Sequence, residues 1–291
     1  MEKNRYRIYR PNGEVKGCVQ LLHGMAEYKE RYEYFINKLN DNGFACVIHD
    51  HRGHGLNCKE EDLGFFASEI GWQKLIDDTN EVMVIMKKEF PDKPYYLFAH
   101  SMGSILARTY IQQYANQIDG LILSGAPNYS SAVSAGMYLS KFIAKVKGER
   151  YKSKLLENMF TGGFNKGFDK PNQWLSYNQD NVDKYNSDDR CGYPFTARGY
   201  EDMAYGLNKI HYIDKYILCD ESMPILFVAG KDDPCIGGEN GFSSSIKTLE
   251  DVGYKNIESK LFDGARHETL NEDIKDEVIQ YIIDWLDSKI D

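Results

Sequence analysis

The residue types able to do nucleophilic chemistry fall in a few short blocks, the sharpest being Phe98-Ala99-His100-Ser101-Met102-Gly103. It follows the apolar run Tyr95-Tyr96-Leu97-Phe98 and precedes Ile105, Leu106, Thr109 and Tyr110, which recur at helical spacing. A serine between a strand and a helix, with small residues two before and two after it, can sit on a tight turn that lifts its hydroxyl above the sheet edge. Ala99 and Gly103 supply the small residues, Ala99 standing where glycine is usual. The helix that begins after Ser101 aims its first N–H groups at the hydroxyl, where developing negative charge is favoured. A serine is also a common helix cap, but the strand context, His100 and Gly103 together favour a nucleophile.

A serine hydroxyl attacks well only when a histidine takes its proton and a carboxylate orients that histidine. In the chain order that accompanies such an elbow, the acid and then the histidine follow the serine. The histidines after Ser101 are His211 and His267. His211 lies in Lys209-Ile210-His211-Tyr212 and reads as a surface or capping residue. His267 lies in Phe262-Asp263-Gly264-Ala265-Arg266-His267-Glu268, between a strand candidate and the last helix. Loops at the carboxyl ends of strands are where open α/β sheets build their sites, so His267 is the expected base. The acid should close the preceding strand, where Gly230-Lys231-Asp232-Asp233-Pro234 offers two aspartates. Asp233 is the choice and Asp232 the alternative; one of them also suits a turn before proline.

The oxyanion of acyl transfer needs two N–H donors. Met102, next to the nucleophile, supplies one, and Met25 in Leu21-Leu22-His23-Gly24-Met25-Ala26-Glu27 the other. Gly24 permits the backbone path of that loop and His23 braces it.

These blocks need a scaffold that presents strand ends side by side. Short apolar runs predict strands at Gly17–Leu22, Ala45–Asp50, Tyr95–His100, Gly120–Ser124, Pro224–Ala229 and Ile257–Phe262, with an antiparallel edge strand at Arg5–Tyr9. Several are apolar throughout, as in strands covered on both faces. Helical periodicity follows Trp72 (Leu75, Ile76, Val82, Met83, Met86) and runs from about Ile274 to Leu286. The alternation predicts an α/β fold with a mostly parallel, doubly wound sheet. It breaks at about Pro127 and resumes at Pro224. The organisation read from this is a core in two parts, 1–126 and 223–291, with a mainly helical cap or lid at 127–222. A structureless loop of that length would be improbable.

Composition bounds what else the chain can do. The 291 residues carry a formal charge of −9, with 42% apolar and 27% charged residues, an ordinary globular mixture. An acidic chain without a Lys/Arg run is a poor partner for nucleic acid. Met1-Glu2-Lys3-Asn4-Arg5 has no leader-like apolar stretch. The apolar runs are far shorter than the roughly 18 residues of a membrane span. The six cysteines are scattered without a CxxC pair, which reads as reduced thiols in a cytoplasmic protein. His49, His51 and His54 could suggest a metal site, but no further ligand spacing completes one; Arg52-Gly53-His54-Gly55 reads better as a turn. Neither metal nor organic cofactor is expected. Ala132–Val146 is an apolar helical segment that either packs on the core or, with Lys141, Lys145, Lys147 and Arg150, docks transiently on a membrane surface.

Four blocks together resemble the monoacylglycerol lipase and lysophospholipase branch of the α/β-hydrolase superfamily. They are His23-Gly24-Met25-Ala26-Glu27 with Arg31-Tyr32, Asp50-His51-Arg52-Gly53-His54-Gly55, Ala99-His100-Ser101-Met102-Gly103 and Gly264-Ala265-Arg266-His267-Glu268. They lie in order along nearly the whole chain outside the 127–222 insertion. Ala99 and Asn57 depart from the usual pattern without removing a group the chemistry requires. The resemblance implies an α/β-hydrolase fold and a serine esterase with Ser101, Asp233 and His267 as triad. It also implies Met25 and Met102 as oxyanion donors, and a cap that shapes the pocket for a small-molecule acyl ester. Two rival activities stand beside it. An aminopeptidase of the same core would need carboxylates for the substrate amine, for which Asp188, Asp189, Glu201 and Asp202 are candidates. A non-catalytic binding protein would have no use for an intact Ser/Asp/His set.

Overall fold

The computed structural model of the chain describes residues 5–290; the reading of Met1-Glu2-Lys3-Asn4 lies outside them. Runs of β-branched and aromatic residues form seven strands among the described residues: β1 (Tyr6–Tyr9), β2 (Gly17–Leu22), β3 (Phe44–His49), β4 (Tyr95–His100), β5 (Gly120–Ser124), β6 (Ile225–Gly230) and β7 (Ile257–Phe262). They make one sheet in the order β1-β3-β2-β4-β5-β6-β7, with β1 antiparallel to β3 and every other pairing parallel. The α/β class with a mostly parallel sheet, expected from the alternation of runs, is the class observed. β3 and β6 are each displaced by one residue from their expected bounds. Pro224, which has no N–H to give a ladder, precedes β6 and contributes only its carbonyl, to Leu121 N–H (3.0 Å).

Side chains alternate across the sheet and so feed two cores. Leu22, Val47, Leu97, Leu123 and Phe227 meet α2 (Gly71–Glu89), α3 (Met102–Tyr114) and α8 (Gly238–Val252) on one face. Leu21, Ile48, Phe98, Ile122 and Val228 meet α1 (Glu33–Asp41) and α9 (Lys275–Asp287) on the other. β2, β3, β4, β5 and β6 are buried along their whole length, which explains why their sequences are mostly apolar and do not alternate.

Between β5 and β6 the described residues form helices and no strand: α4 (Ala132–Lys147), α5 (Lys154–Phe160), α6 (Gln179–Ser187) and α7 (Ala197–Lys209), with short 3-10 turns. α4 packs along α7. Its buried positions are the small residues Gly136, Ser140 and Ala144, and a Cβ at Gly136 would lie 3.0 Å from the Phe160 ring of α5. Tyr138, Phe142 and Val146, at the same four-residue spacing, point outward and are 66%, 63% and 60% exposed. The expectation that the apolar side chains of this helix pack on the core thus holds only in part, through the half-buried Leu139 and Ile143. Close helix approach favours the small face and leaves the large one outside. No helix among the described residues is long and apolar enough to cross a membrane.

Candidate active site

The strand order reverses beside β2, which has β3 on one side and β4 on the other. Such a switch point opens a crevice at the carboxyl ends of the strands, and both loops with nucleophile chemistry leave from there. Ser101 follows β4 in a backbone conformation rare for any side-chain-bearing residue, φ 52° and ψ −118°, the strained turn that lifts a hydroxyl clear of the sheet. Gly103 lets α3 pass close to β2: a Cβ there would lie 2.4 Å from the Leu22 carbonyl oxygen. The leading small position, Ala99, is fully buried and its Cβ is accommodated.

Ser101 Oγ lies 2.8 Å from His267 Nε2, and His267 Nδ1 lies 2.8 Å from Asp233 Oδ2. His267 and Asp233 are both buried. Burial works against a charged imidazole, but the Asp233 carboxylate outweighs it and holds His267 well above the ordinary histidine value. Cys235 also touches the ring. Its own thiol is pushed up by burial, so it stays neutral and the carboxylate does the raising. Asp232, the alternative acid, is exposed and accepts from Tyr177 O–H at 3.0 Å. The turn before Pro234 also uses Asp233, whose Oδ1 accepts from Cys235 N–H at 2.8 Å. One aspartate thus makes both contacts, with different oxygens. His211 lies away from this cluster, stacked on Tyr129 with ring centroids 3.8 Å apart.

The loop after β2 is held from below by histidines. His51 N–H donates to His23 Nε2 (3.1 Å), so that nitrogen is bare and the proton sits on Nδ1, which donates to the Gly24 carbonyl (2.8 Å). Ala26 N–H likewise donates to His54 Nε2 (3.2 Å), while His54 Nδ1 donates to the Arg52 carbonyl (2.9 Å). Burial lowers all three imidazoles, His54 to about 4, which keeps them neutral and fixes these tautomers. The His-Arg-Gly-His-Gly block is therefore a brace for the loop. Gly24 comes close to Ser101, since a Cβ there would lie 3.2 Å from Ser101 Cβ and from the His100 ring. His100 is itself buried, lowered to about 3 by burial and by neighbouring His267, and its Nδ1 lies 3.3 Å from Ser124 Oγ. Met25 and Met102 both face the cavity above Ser101.

Three features of the site were not read from the sequence. Arg31 bridges Glu27 (2.7 Å) and Glu268 (2.7 Å), joining the loop after β2 to the loop that carries His267. Glu27 also accepts from Gly24 N–H (2.5 Å) and Tyr32 O–H (2.8 Å). Burial raises Glu27, whereas at Glu268 the Arg31 guanidinium overcomes burial and lowers the carboxyl. Gly125, just past β5 with φ 54°, leaves room for the His267 ring, because a Cβ there would lie 3.0 Å from His267 Nδ1. Its place after an apolar strand in Ser124-Gly125-Ala126-Pro127 was the available signal. Trp174 packs on the His267 ring at 5.0 Å between centroids; nothing in its sequence surroundings marks it. Above Ser101 opens a cavity of about 350 Å³, bounded by Ile105 and by Val133, Phe160, Leu175, Tyr193 and Met203 from the segment between β5 and β6.

A sheet of this order with a serine elbow at its switch point defines a hydrolase of the serine α/β-hydrolase type. The chain belongs to the serine aminopeptidase, S33, family, whose profile matches residues 13–274. Monoglyceride lipase of Mus musculus is 22% identical over 288 residues, covering 98% of this chain and 86% of that protein. Monoacylglycerol lipase of Mycolicibacterium smegmatis is 24% identical over 290 residues, covering 98% and 93%. Among solved structures, a highly thermostable carboxyl esterase from Bacillus coagulans, in complex with glycerol, superposes with a TM-score of 0.90 at 27% identity, covering 98% of this chain and 94% of that one.

Proposed function

We propose that the protein hydrolyses carboxylic esters of the monoacylglycerol or lysophospholipid class through an acyl-enzyme on Ser101. The observation that carries this reading is the pair of 2.8 Å hydrogen bonds linking Ser101, His267 and Asp233 beneath an apolar cavity of about 350 Å³. In the proposed cycle Ser101 Oγ attacks the ester carbonyl while His267 Nε2 takes its proton and Asp233 stabilises the imidazolium. The Met25 and Met102 N–H groups receive the oxyanion. His267 returns the proton to the leaving alcohol, then draws one from a water that attacks the acyl-enzyme and frees Ser101. The cycle calls on neither metal nor organic cofactor. The names of the lipase relatives and the apolar walls support an acyl chain in the cavity.

In this reading residues 127–222 are the cap, laid over a core of 1–126 and 223–291. The protein works in the cytoplasm, and its cap touches membrane surfaces through the outward stripe of α4 beside Lys141, Lys145, Lys147 and Arg150.

The family's description as aminopeptidases favours a second reading, in which a carboxylate takes a substrate amine. Asp188 accepts from Tyr28 O–H (2.6 Å), Glu201 and Asp202 face Arg198 (3.0 and 3.7 Å), and Asp189 is exposed. These engagements support ester hydrolysis over peptide hydrolysis; Glu157, on the cavity wall, is the carboxylate the peptidase reading would use.

The test is kcat/KM for monoacylglycerols, lysophospholipids, p-nitrophenyl esters and aminoacyl anilides, with the wild type and Ser101→Ala. Acyl glycerols or lysophospholipids should lead, and Ser101→Ala should lose about 10⁶-fold in kcat while keeping its fold. A preference for anilides would overturn the ester reading, and an active Ser101→Ala variant the nucleophile.

A further inference from the structure

Cys235 has no part in the proposed cycle, yet it is held against the relay. It lies two residues after Asp233 in the turn fixed by the Asp233 Oδ1 to Cys235 N–H bond of 2.8 Å. One ligand atom each of Asp233, Cys235 and His267 can be chosen so that all lie within 4.8 Å of one another. Cys235 is part-exposed and lines the cavity above Ser101, so a small ion can reach it from the substrate side. We infer that this corner is an inhibitory binding site for a thiophilic divalent cation such as Zn²⁺, held by Cys235 Sγ, His267 Nδ1 and an Asp233 carboxylate oxygen.

The donor set is one that Zn²⁺ takes, with metal distances of about 2.3 Å to sulfur and about 2.0–2.2 Å to nitrogen and oxygen. Tetrahedral angles at those lengths put nitrogen and oxygen about 3.3 Å apart. The present Nδ1 to Oδ2 separation is 2.8 Å, so a shift of about half an ångström admits the ion. The side chain that would resist it is missing: residue 125 is glycine, whose Cβ would lie 3.0 Å from His267 Nδ1 and 3.2 Å from Asp233 Oδ2. A water from the cavity completes the fourth position, as in open zinc sites.

Binding there stops the relay by chemistry and not by bulk. In the resting relay His267 Nδ1 carries a proton toward Asp233 and the Nε2 lone pair faces Ser101. An ion on Nδ1 takes that nitrogen's lone pair, so the one proton of the neutral ring must sit on Nε2. The ring can then donate to Ser101 Oγ but not accept its proton. Cys235 binds as thiolate and its proton goes to solvent, one per ion bound when the ring starts neutral and two when it starts as imidazolium. The carboxylate, the thiolate and the dication together are neutral, so no net charge is left in the pocket.

The inhibition rests on the triad reading of the preceding section; the binding does not. Co²⁺, which takes the same ligands, reports binding through its thiolate-to-metal charge-transfer absorption, measured on wild type, Ser101→Ala and Cys235→Ala. Zn²⁺ inhibition of ester hydrolysis, with reversal by chelator, is measured on wild type and Cys235→Ala. The band should appear in wild type and in Ser101→Ala and be absent in Cys235→Ala. Loss of an outer partner alone weakens metal sites about 10- to 100-fold, so loss of this ligand should raise the Zn²⁺ inhibition constant at least about tenfold. Cys235→Ser provides the same comparison should the alanine variant fold poorly. A wild type without the band, or equal Zn²⁺ inhibition with and without the thiol, would overturn the site. A band retained by a protein that hydrolyses no ester would leave the site standing and remove the function proposed above.

Discussion

His267 is where burial and charge pull hardest against each other. Its surroundings disfavour the cation, and one carboxylate reverses that balance and holds the ring well above the ordinary histidine value. In the proposed cycle His267 is the general base, which works only when unprotonated, so the acid limb of kcat/KM, which reports the free enzyme, should lie above the ordinary value of about 6.5. Asp233→Asn removes the anion and leaves burial in charge. The limb should then move to lower pH, while the rate on an activated p-nitrophenyl ester falls by about 10⁴. Asp232→Asn, which removes an exposed charge and keeps an oxygen to accept from Tyr177, should leave both unchanged. A limb that stays in place in Asp233→Asn would mean that another group sets it.

At the scale of elements, the five strands buried from end to end were legible because burial on both faces writes a continuous apolar run. The strand-ending motifs were legible because tight turns demand small residues. What joins those turns was not legible. Glu27 and Arg31 are four residues apart, but Glu268 lies 237 positions from Arg31, and charged residues on two such loops look like ordinary surface until folding closes the strand ends over them. The outward face of α4 was hidden for a different reason. Periodicity marks which residues share a face, not which face a neighbour covers, and here close packing among the helices between β5 and β6 chose glycine, serine and alanine. The Arg31 bridge can be weighed directly. Arg31→Met strands two buried carboxylates, so urea unfolding should show a loss of about 3–5 kcal/mol. Adding Glu27→Gln and Glu268→Gln should recover much of it. A loss under about 1 kcal/mol, the worth of an exposed pair, would mean that the loops are joined by packing alone.

The whole molecule is acidic, with a formal charge of −9, but its charge is unevenly spread around α4. Lys141, Lys145 and Lys147 share this helix with the exposed stripe of Tyr138, Phe142 and Val146, while Arg150 just beyond it is paired with Asp62 (2.6 Å). An acidic body with one basic, apolar helix is repelled from an anionic surface in most orientations and attracted in one. That orientation would set the cap, and the cavity of about 350 Å³ beneath it, toward the source of a lipid substrate. Inserting a phenylalanine side chain into lipid is worth about 1.5–3 kcal/mol, or about 10- to 100-fold in partitioning. Phe142→Asp should therefore cut activity on monoacylglycerol carried in anionic vesicles by at least about tenfold. Because the side chain points away from α7 and from the cavity, hydrolysis of a soluble short-chain ester and the melting temperature should be unchanged. Salt separates the two contributions. Raising ionic strength should weaken vesicle activity of the wild type by screening the lysines, but leave the residual activity of a variant lacking Lys141, Lys145 and Lys147 insensitive. Equal loss on vesicles and on the soluble ester would place Phe142 in the folding of the cap and remove the interfacial role.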